Sequence, residues 1–339
     1  MDPHSNAEYA SDQFASSSDA PHSCTLCPRV CGAARAGGER GVCGAGADLV
    51  VARAALHFWE EPPISGTAGS GTVFFCHCPL RCLYCQNHEI AAGNGGTTIT
   101  VYRLAEIFLE LQAQGALNVN LVTPTHYIPQ IKLAIEQARE GGLSLPIVYN
   151  TSGYESVEAI QSLAGYIDIY LTDFKYWSPN PARAYSHAPD YRKVALAALD
   201  AMVAQTGPPV YREAAAKTGC VGDRSESAGD GEGPLLARGV IVRHLMLPGQ
   251  LEDSKAIVAC LADRYGDAVA ISIMNQYTPL RSAPEHPELD ERVSDAAYEE
   301  LLSFADFCGI EEYFWQEGDA VGESFIPPFD GTGVESRDR

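Results

Sequence analysis

The sequence predicts an α/β protein: a parallel sheet with helices outside it, closed fully or partly into a barrel. Three observations predict this. From residue 100 onward, strand and helix patterns alternate, the order that generates a parallel sheet with helical crossovers. Six short apolar runs read as the strands of one series. The chain has 339 residues, 46% of them hydrophobic, enough for a sizeable core and within the length of a single α/β barrel. A doubly wound sheet shares this alternation, and in either architecture ligands gather at the carboxyl ends of the strands.

Residues 1–20 are rich in Ser, Ala and Asp, lack the apolar core of a secretory signal, and read as a disordered tail. A Cys- and Gly-rich segment follows within 21–48, and apolar patterning begins near Leu49. Thr72-Val-Phe-Phe-Cys76 reads as a buried strand. Val101, Leu104, Ile107, Phe108 and Leu111 recur at helical spacing, with Thr100 as N-cap and Gly115 as stop. The strand Asn118–Val122 precedes a helix over 128–140. Leu145–Tyr149 and Ile167–Leu171 are strands around the helix Glu155–Leu163. A helix near 190–205 leads to the strand Pro209–Arg212. Residues 217–237, rich in Gly, Ser, Asp and Glu, read as an inserted exposed loop. Residues 239–245 and 268–274 are strands flanking a helix near 252–264. A last helix covers about 294–307, and residues 331–339 read as a flexible tail beyond a barrel spanning 49–330.

The formal charge of −21 at pH 7 argues against sequence-independent nucleic-acid binding, which needs basic patches. No apolar run approaches the ~20 residues that cross a bilayer, so no membrane partner and a cytoplasmic location are expected. Eleven cysteines without a signal peptide point to metal or redox chemistry rather than disulfides. Eight of them fall before residue 90 in two groups, whereas Cys220, Cys260 and Cys308 are scattered.

The central segment is Cys78-Pro-Leu-Arg-Cys82-Leu-Tyr-Cys85-Gln-Asn87, on a loop leaving a strand. Thiolates are soft donors, and this spacing lets one loop wrap an iron–sulfur cube while leaving one iron without a protein ligand. The plain alternative is a zinc knuckle that borrows a fourth ligand from Cys76 or His77. The segment resembles the radical S-adenosylmethionine (SAM) superfamily motif, Cys-x3-Cys-x-aromatic-Cys. That resemblance implies a partial (β/α)6 TIM-like barrel and a [4Fe–4S] cluster on Cys78, Cys82 and Cys85. It further implies SAM on the open iron and a 5′-deoxyadenosyl radical that abstracts hydrogen from a substrate. The loop is similar, more closely, to that of glycyl-radical-enzyme activases. Segments such as His57-Phe-Trp-Glu-Glu-Pro-Pro-Ile-Ser-Gly66, Asn120-Leu-Val-Thr-Pro-Thr-His126 and Arg243-His-Leu-Met-Leu-Pro-Gly249 resemble a branch related to pyruvate formate-lyase activating enzyme.

The resemblance implies further contacts around SAM. Tyr84 is expected against the adenine, with Asn87 on the same loop. Thr123-Pro-Thr125 stands where activases carry Gly-Gly-Glu, so Thr123 and Thr125 are expected to receive the SAM amino group without a carboxylate. His126 beside them is read equally as a contact or as a structural hydrogen-bonder. Asn150, Thr151 and Ser152 correspond to an Asp-Thr-Asn segment lining the SAM pocket, and make ordinary turn chemistry otherwise. Asp173-Phe-Lys175 matches an Asp-x-Lys element near SAM and substrate; Asp173 and Lys175 would otherwise be a surface ion pair. Arg243 can grip a carboxylate through two nitrogens, and Asn275 ends the sixth strand.

Cys24, Cys27, Cys31 and Cys43 lie among six glycines that let the backbone fold tightly. Four thiols suit a closed zinc site or an accessory iron–sulfur cluster. The leading functional expectation is radical SAM oxidoreductase chemistry on a protein or peptide substrate, after the pattern of glycyl radical installation, with reduced flavodoxin or ferredoxin as electron donor. The alternatives are radical chemistry on a small molecule or another peptide side chain, and a zinc-binding adaptor without catalysis.

Overall fold

The structure is a computed structural model that describes residues 20–213, 233–280, 283–310, 313–315 and 326–336. The strands are β1 (Leu49–His57), β2 (Ser70–Phe75), β3 (Thr97–Ile99), β4 (Val119–Val122), β5 (Ile147–Thr151), β6 (Ile169–Asp173), β7 (Val210–Arg212), β8 (Leu235–Leu245), β9 (Ala270–Met274) and β10 (Tyr313–Trp315). The helices are α1 (Pro62–Ser65), α2 (His88–Ala91), α3 (Val101–Ala113), α4 (Ile128–Glu140), α5 (Val157–Ser162), α6 (Pro179–Ser186), α7 (Tyr191–Thr206), α8 (Leu251–Arg264) and α9 (Asp295–Phe307). Thr100 caps α3 as its composition predicts, its hydroxyl accepting from the Arg103 N–H.

The sheet runs β10-β9-β8-β6-β5-β4-β2-β1-β3. Six of the expected strands, β2, β4, β5, β6, β8 and β9, pair in parallel, joined at one edge by the short β10, whereas the expected strand Pro209–Arg212 forms β7 and pairs antiparallel with β8. At the other edge β1 and β3 pair antiparallel. Seven strand spacings separate β1 from β10, about 34 Å in a flat sheet. Yet His57 at the end of β1 and Tyr313 of β10 line the same cavity. The sheet therefore curls, which selects the partial barrel over the doubly wound alternative.

Strand alternation then sorts the residues. Val148, Ile169, Leu171 and Ile241 form one apolar cluster with Ile64 of α1 and Leu236. One or more pleats further along the same strands, Asn150, Asp173 and Arg243 line the cavity. The intervening Tyr149, Tyr170 and Val242 belong to the larger core packed under the helices. The inner face thus passes from apolar to polar toward the carboxyl ends of the strands.

Three expectations need correction. β5 and β6 run two residues further than the apolar runs suggested, because Pro146 has no N–H for the ladder and because Thr151 and Asp173 continue the pairing. Of the expected loop 217–237, residues 217–232 lie outside the described residues. Leu235 and Leu236, however, are buried and open β8, where they pair with Arg212 and Tyr211 of β7. The tail expected at 331–339 is docked as far as it is described. Val334 is fully buried, the Gly331 N–H donates to the Ala52 carbonyl and the Ala54 N–H to the Thr332 carbonyl. Arg103 donates to the carbonyls of Gly333, Val334 and Glu335. Of the expected N-terminal tail, residues 1–19 lie outside the described residues.

Candidate active site

The site begins where β2 runs into the cysteine loop. His77 and Arg81 take left-handed backbone (φ 74° and 51°), so the loop coils sharply, held where the His77 N–H donates to the Ile90 carbonyl (2.7 Å) and the Leu83 N–H to the Tyr185 carbonyl (2.9 Å). Cys78, Cys82 and Cys85 all line a cavity of about 500 Å³. The Ser186 hydroxyl donates to the Cys82 sulfur at 2.9 Å and shares a 2.6 Å hydrogen bond with the Tyr176 hydroxyl. Tyr176 donates to Tyr84 at 2.8 Å. Burial pushes the Cys78 thiol up to about 11, with Cys82 adding to it and the Lys175 ammonium opposing. Burial raises Cys85 as well, again against Lys175.

The side chains that a zinc knuckle would have borrowed are elsewhere. Cys76 is buried with its sulfur toward the Gly95 carbonyl, and neither Cys76 nor His77 lines the cavity. Among the described residues, no three His, Cys, Asp or Glu side chains are arranged to hold a single metal ion. Three soft donors on one loop, all lining one cavity, suit a multi-iron cluster.

Beside the thiols lies a charged array. Asp173 and Arg243 sit opposite each other in the β6–β8 register. The Arg243 Nε donates to Asp173 (3.0 Å), Nη1 to Glu60 (3.1 Å) and Nη2 to the Asn150 side-chain oxygen Oδ1 (2.6 Å). Lys175 takes the other Asp173 oxygen at 2.6 Å. Asn120 and Asn150 both donate to the second Glu60 oxygen (3.0 and 3.2 Å). Burial alone would raise the Asp173 carboxyl, but Lys175 and Arg243 outweigh it and hold it below its ordinary value. Burial raises Glu60 despite Arg243. Glu61 is pushed up to about 7 by burial, with Arg243 opposing and Glu60 adding to the rise.

Twelve of the expected residues share this cavity: the three cysteines, Tyr84, Asn87, Thr123, Asn150, Thr151, Ser152, Asp173, Lys175 and Arg243. Thr123 is held in left-handed backbone (φ 58°), its N–H donating to the Asn150 carbonyl (2.9 Å). Two expected residues are not on the wall. Thr125 is buried and turned away, donating to Glu155 at 2.6 Å, where the Thr151 hydroxyl also donates. Asn275 does not line the cavity, whereas its neighbours Met274 and Gln276 do, as strand alternation requires. His126 faces the Cys76 carbonyl (2.7 Å), and burial lowers it to about 3; it is structural. Arg243 does grip carboxylates, but they are the protein's own, Asp173 and Glu60, and each of its three nitrogens has a protein acceptor.

Glu60 and Glu61 escaped the sequence reading, although both stand in the quoted segment His57–Gly66. The available signal was two acids directly before Pro62-Pro63. A residue before proline is confined to extended backbone, and Glu61 has φ −49° and ψ 142° with no side-chain hydrogen bond capping α1. Its carboxylate is therefore left to the cavity.

Cys24, Cys27, Cys31 and Cys43 line a second, small cavity with Pro79 and His126. Their segment braces the cysteine loop. Arg29 donates to the carbonyls of Pro79 (3.1 Å), Ser186 (3.0 Å) and His187 (2.5 Å), and Arg81 donates to the Cys43 carbonyl (2.6 Å). Arg35, fully buried, ties the segment to the barrel through the Gly46 and His126 carbonyls.

Comparison with known proteins gives three findings. Residues 72–212 match the Radical SAM superfamily. An uncharacterized protein of Methanocaldococcus jannaschii is 25% identical over 267 residues, covering 76% of this chain and 67% of its own. The crystal structure of a radical SAM methyltransferase from Sphaerobacter thermophilus aligns with a TM-score of 0.47 at 14% identity, over 74% of this chain and 69% of that one.

Proposed function

We propose, from the radical SAM superfamily domain that residues 72–212 carry, that the protein is an enzyme that cleaves SAM reductively and abstracts hydrogen from a substrate held in the cavity. The observation that supports this most directly is that Cys78, Cys82 and Cys85 line one cavity, whose described lining includes neither Cys76 nor His77. These three thiolates would hold the [4Fe–4S] cluster. When bound, cluster and SAM supply an electron and a cleavable S–C5′ bond, and hence a 5′-deoxyadenosyl radical.

The remaining residues bind, orient and exclude water. Lys175 sets a positive charge beside Cys82 and Cys85, balancing the anionic cluster. Tyr84 offers an aromatic wall, fixed by Tyr176. The Thr123 turn, Asn150, Thr151 and Ser152 present hydroxyl, amide and backbone groups to SAM. Arg243 locks Asp173, Glu60 and Asn150 into one rigid wall.

The size of the cavity favours a small molecule, or one projecting side chain of a peptide, as the group attacked; about 500 Å³ is in the range of small-ligand sites and must hold SAM too. Glycyl radical installation on a partner enzyme is the reading supported by the similarity of the cysteine loop to activases. Reduced flavodoxin or ferredoxin is the electron donor in both. For Cys24, Cys27, Cys31 and Cys43 the expected zinc site loses its support, since no three such side chains among the described residues are arranged for a single metal ion; a second iron–sulfur cluster that stiffens the segment bracing the cysteine loop is the reading proposed for them.

Anaerobic reconstitution with iron and sulfide, followed by dithionite and SAM, tests the reading. 5′-Deoxyadenosine is expected, and Cys82→Ala should abolish it. Zinc alone after anaerobic purification, with no 5′-deoxyadenosine, would instead favour a non-catalytic adaptor.

A further inference from the structure

The charged array has a direction. Lys175 stands beside Cys82 and Cys85, Asp173 joins it to Arg243, and Arg243 joins Asp173 to Glu60 and Glu61. The two glutamates therefore occupy the end of the array away from the thiols. Three carboxylates, Asp173, Glu60 and Glu61, face two cations, Lys175 and Arg243. One negative charge is left over, and the geometry locates it. Asp173 and Glu60 are fully engaged by hydrogen-bond donors, but the Glu61 Oε2 has none. It stands 3.9 Å from Arg243, beyond hydrogen-bond reach, on a residue only 8% exposed that lines the cavity. A buried acceptor without a donor calls for a partner, and on a residue that lines the cavity a ligand can supply it. The wall around it is aromatic, with His57, Trp59, Phe74 and Phe314 lining the same cavity, a surface that suits a carbon stem and favours a cation.

We infer that Glu61, backed by Glu60, is a subsite for a cationic nitrogen of the substrate, a primary ammonium or a guanidinium borne on an apolar stem. The inference rests on the proposed radical SAM reading and names the substrate class of that same site. The charge pairing anchors the substrate by its nitrogen and leaves its stem to extend toward the thiol end. Burial keeps Glu61 protonated up to about pH 7 in the ligand-free site, so cation binding strengthens as pH rises through that value. Arg243, Glu60 and Asp173 are the charged groups facing it.

The probe is n-butylammonium, with n-butylguanidinium as second cation and n-butanol and butyrate as controls. Each is titrated by calorimetry into the reconstituted holoenzyme with saturating SAM and no reductant, at pH 8 and pH 6. The expected result is binding of the cations only, weaker at pH 6, and a loss of tenfold or more in Glu61→Gln with SAM affinity retained. Glu61→Asp, which keeps the charge on a shorter stem, should retain part of the affinity, separating lost charge from misfolding. A Gly-Lys-Gly peptide titrated alongside distinguishes a peptide-borne amine from a free one. Equal binding of butanol, unchanged cation affinity in Glu61→Gln, or a loss of SAM affinity instead would each overturn the inference. Failure of the radical SAM reading shows separately, as absence of 5′-deoxyadenosine from the same wild-type preparation once dithionite is added.

Discussion

Replacing Glu61 by glutamine should stabilise the protein above neutral pH while weakening the site. In the folded chain the Glu61 carboxyl is raised from 4.5 to about 7, a shift of about 2.5 units, each worth 1.36 kcal/mol. Because the folded value lies above the unfolded one, the folded state takes up a proton that the unfolded chain does not hold between those values. The stability difference is therefore fully favourable below about pH 4.5 and is lost as pH rises through 7, a swing of ~3 kcal/mol. Glutamine does not titrate and escapes that loss, but its buried amide lacks a partner, which takes back ~1–2 kcal/mol. The net gain at pH 8 is ~1–2 kcal/mol. With an unfolding entropy of about 2.1 cal/mol/K per residue, this is a rise in melting temperature of ~1–3 °C for 339 residues. Scanning calorimetry of both proteins, in the same cluster state and at the same scan rate, should show this gap at pH 8 and its loss or reversal near pH 5. A variant less stable than wild type at pH 8, or a gap independent of pH, would refute the assignment of Glu61 as the surplus charge.

Arg243→Met should destabilise the protein by ~3–5 kcal/mol at pH 8, because it strands three buried carboxylates with Lys175 alone; urea midpoints at pH 8 and pH 5.5 should show the deficit shrinking at the lower pH as Glu60 and Glu61 protonate. Ser186→Ala removes the donor to the Cys82 sulfur, so a redox titration of the reconstituted cluster should give a more negative potential, with stability lowered by only ~1 kcal/mol. Gly153→Ala would place a methyl 2.2 Å from the Asp173 carbonyl, at φ 77°; displacing that strand end should weaken SAM binding at least tenfold by calorimetry, with far-ultraviolet circular dichroism unchanged.

The six parallel strands were legible because each is a short apolar run between turn residues. The face each side chain takes was not. β5 is buried at all five positions, so nothing in Ile-Val-Tyr-Asn-Thr says that Val148 and Asn150 turn inward while Tyr149 turns out. The antiparallel β1 was seen only as the onset of apolar patterning near Leu49, and β10 has three residues, too few for a period. The docked segment at 331–336 was illegible for another reason. It is held through its carbonyls by Arg103 of α3, a contact between distant residues that composition does not carry. The grouping of Cys78, Cys82 and Cys85 on one cavity, by contrast, was legible, since it lies in spacing along one stretch of chain.

Glu60 and Glu61 lie between these extremes. Their immediate neighbours, Trp59 and the Pro62-Pro63 pair, were in view, and the proline rule alone confines Glu61 to extended backbone. What the local sequence withholds is the partner. Arg243 follows these glutamates by 182 residues or more, on a strand whose register with β6 places it opposite Asp173. Only that pairing shows that Arg243 is held by Asp173, Glu60 and Asn150 and stops 3.9 Å short of Glu61, an ion pair without a hydrogen bond. A mutationally simpler core would pair every buried charge or replace the extra one with a neutral residue. Retaining a buried carboxylate whose Oε2 has no hydrogen-bond donor costs this fold stability at neutral pH, a conflict between packing and chemistry expected where a site is built for a ligand. The deficit and the subsite are the same feature, so a substrate cation at Glu61 should restore the stability that its absence removes.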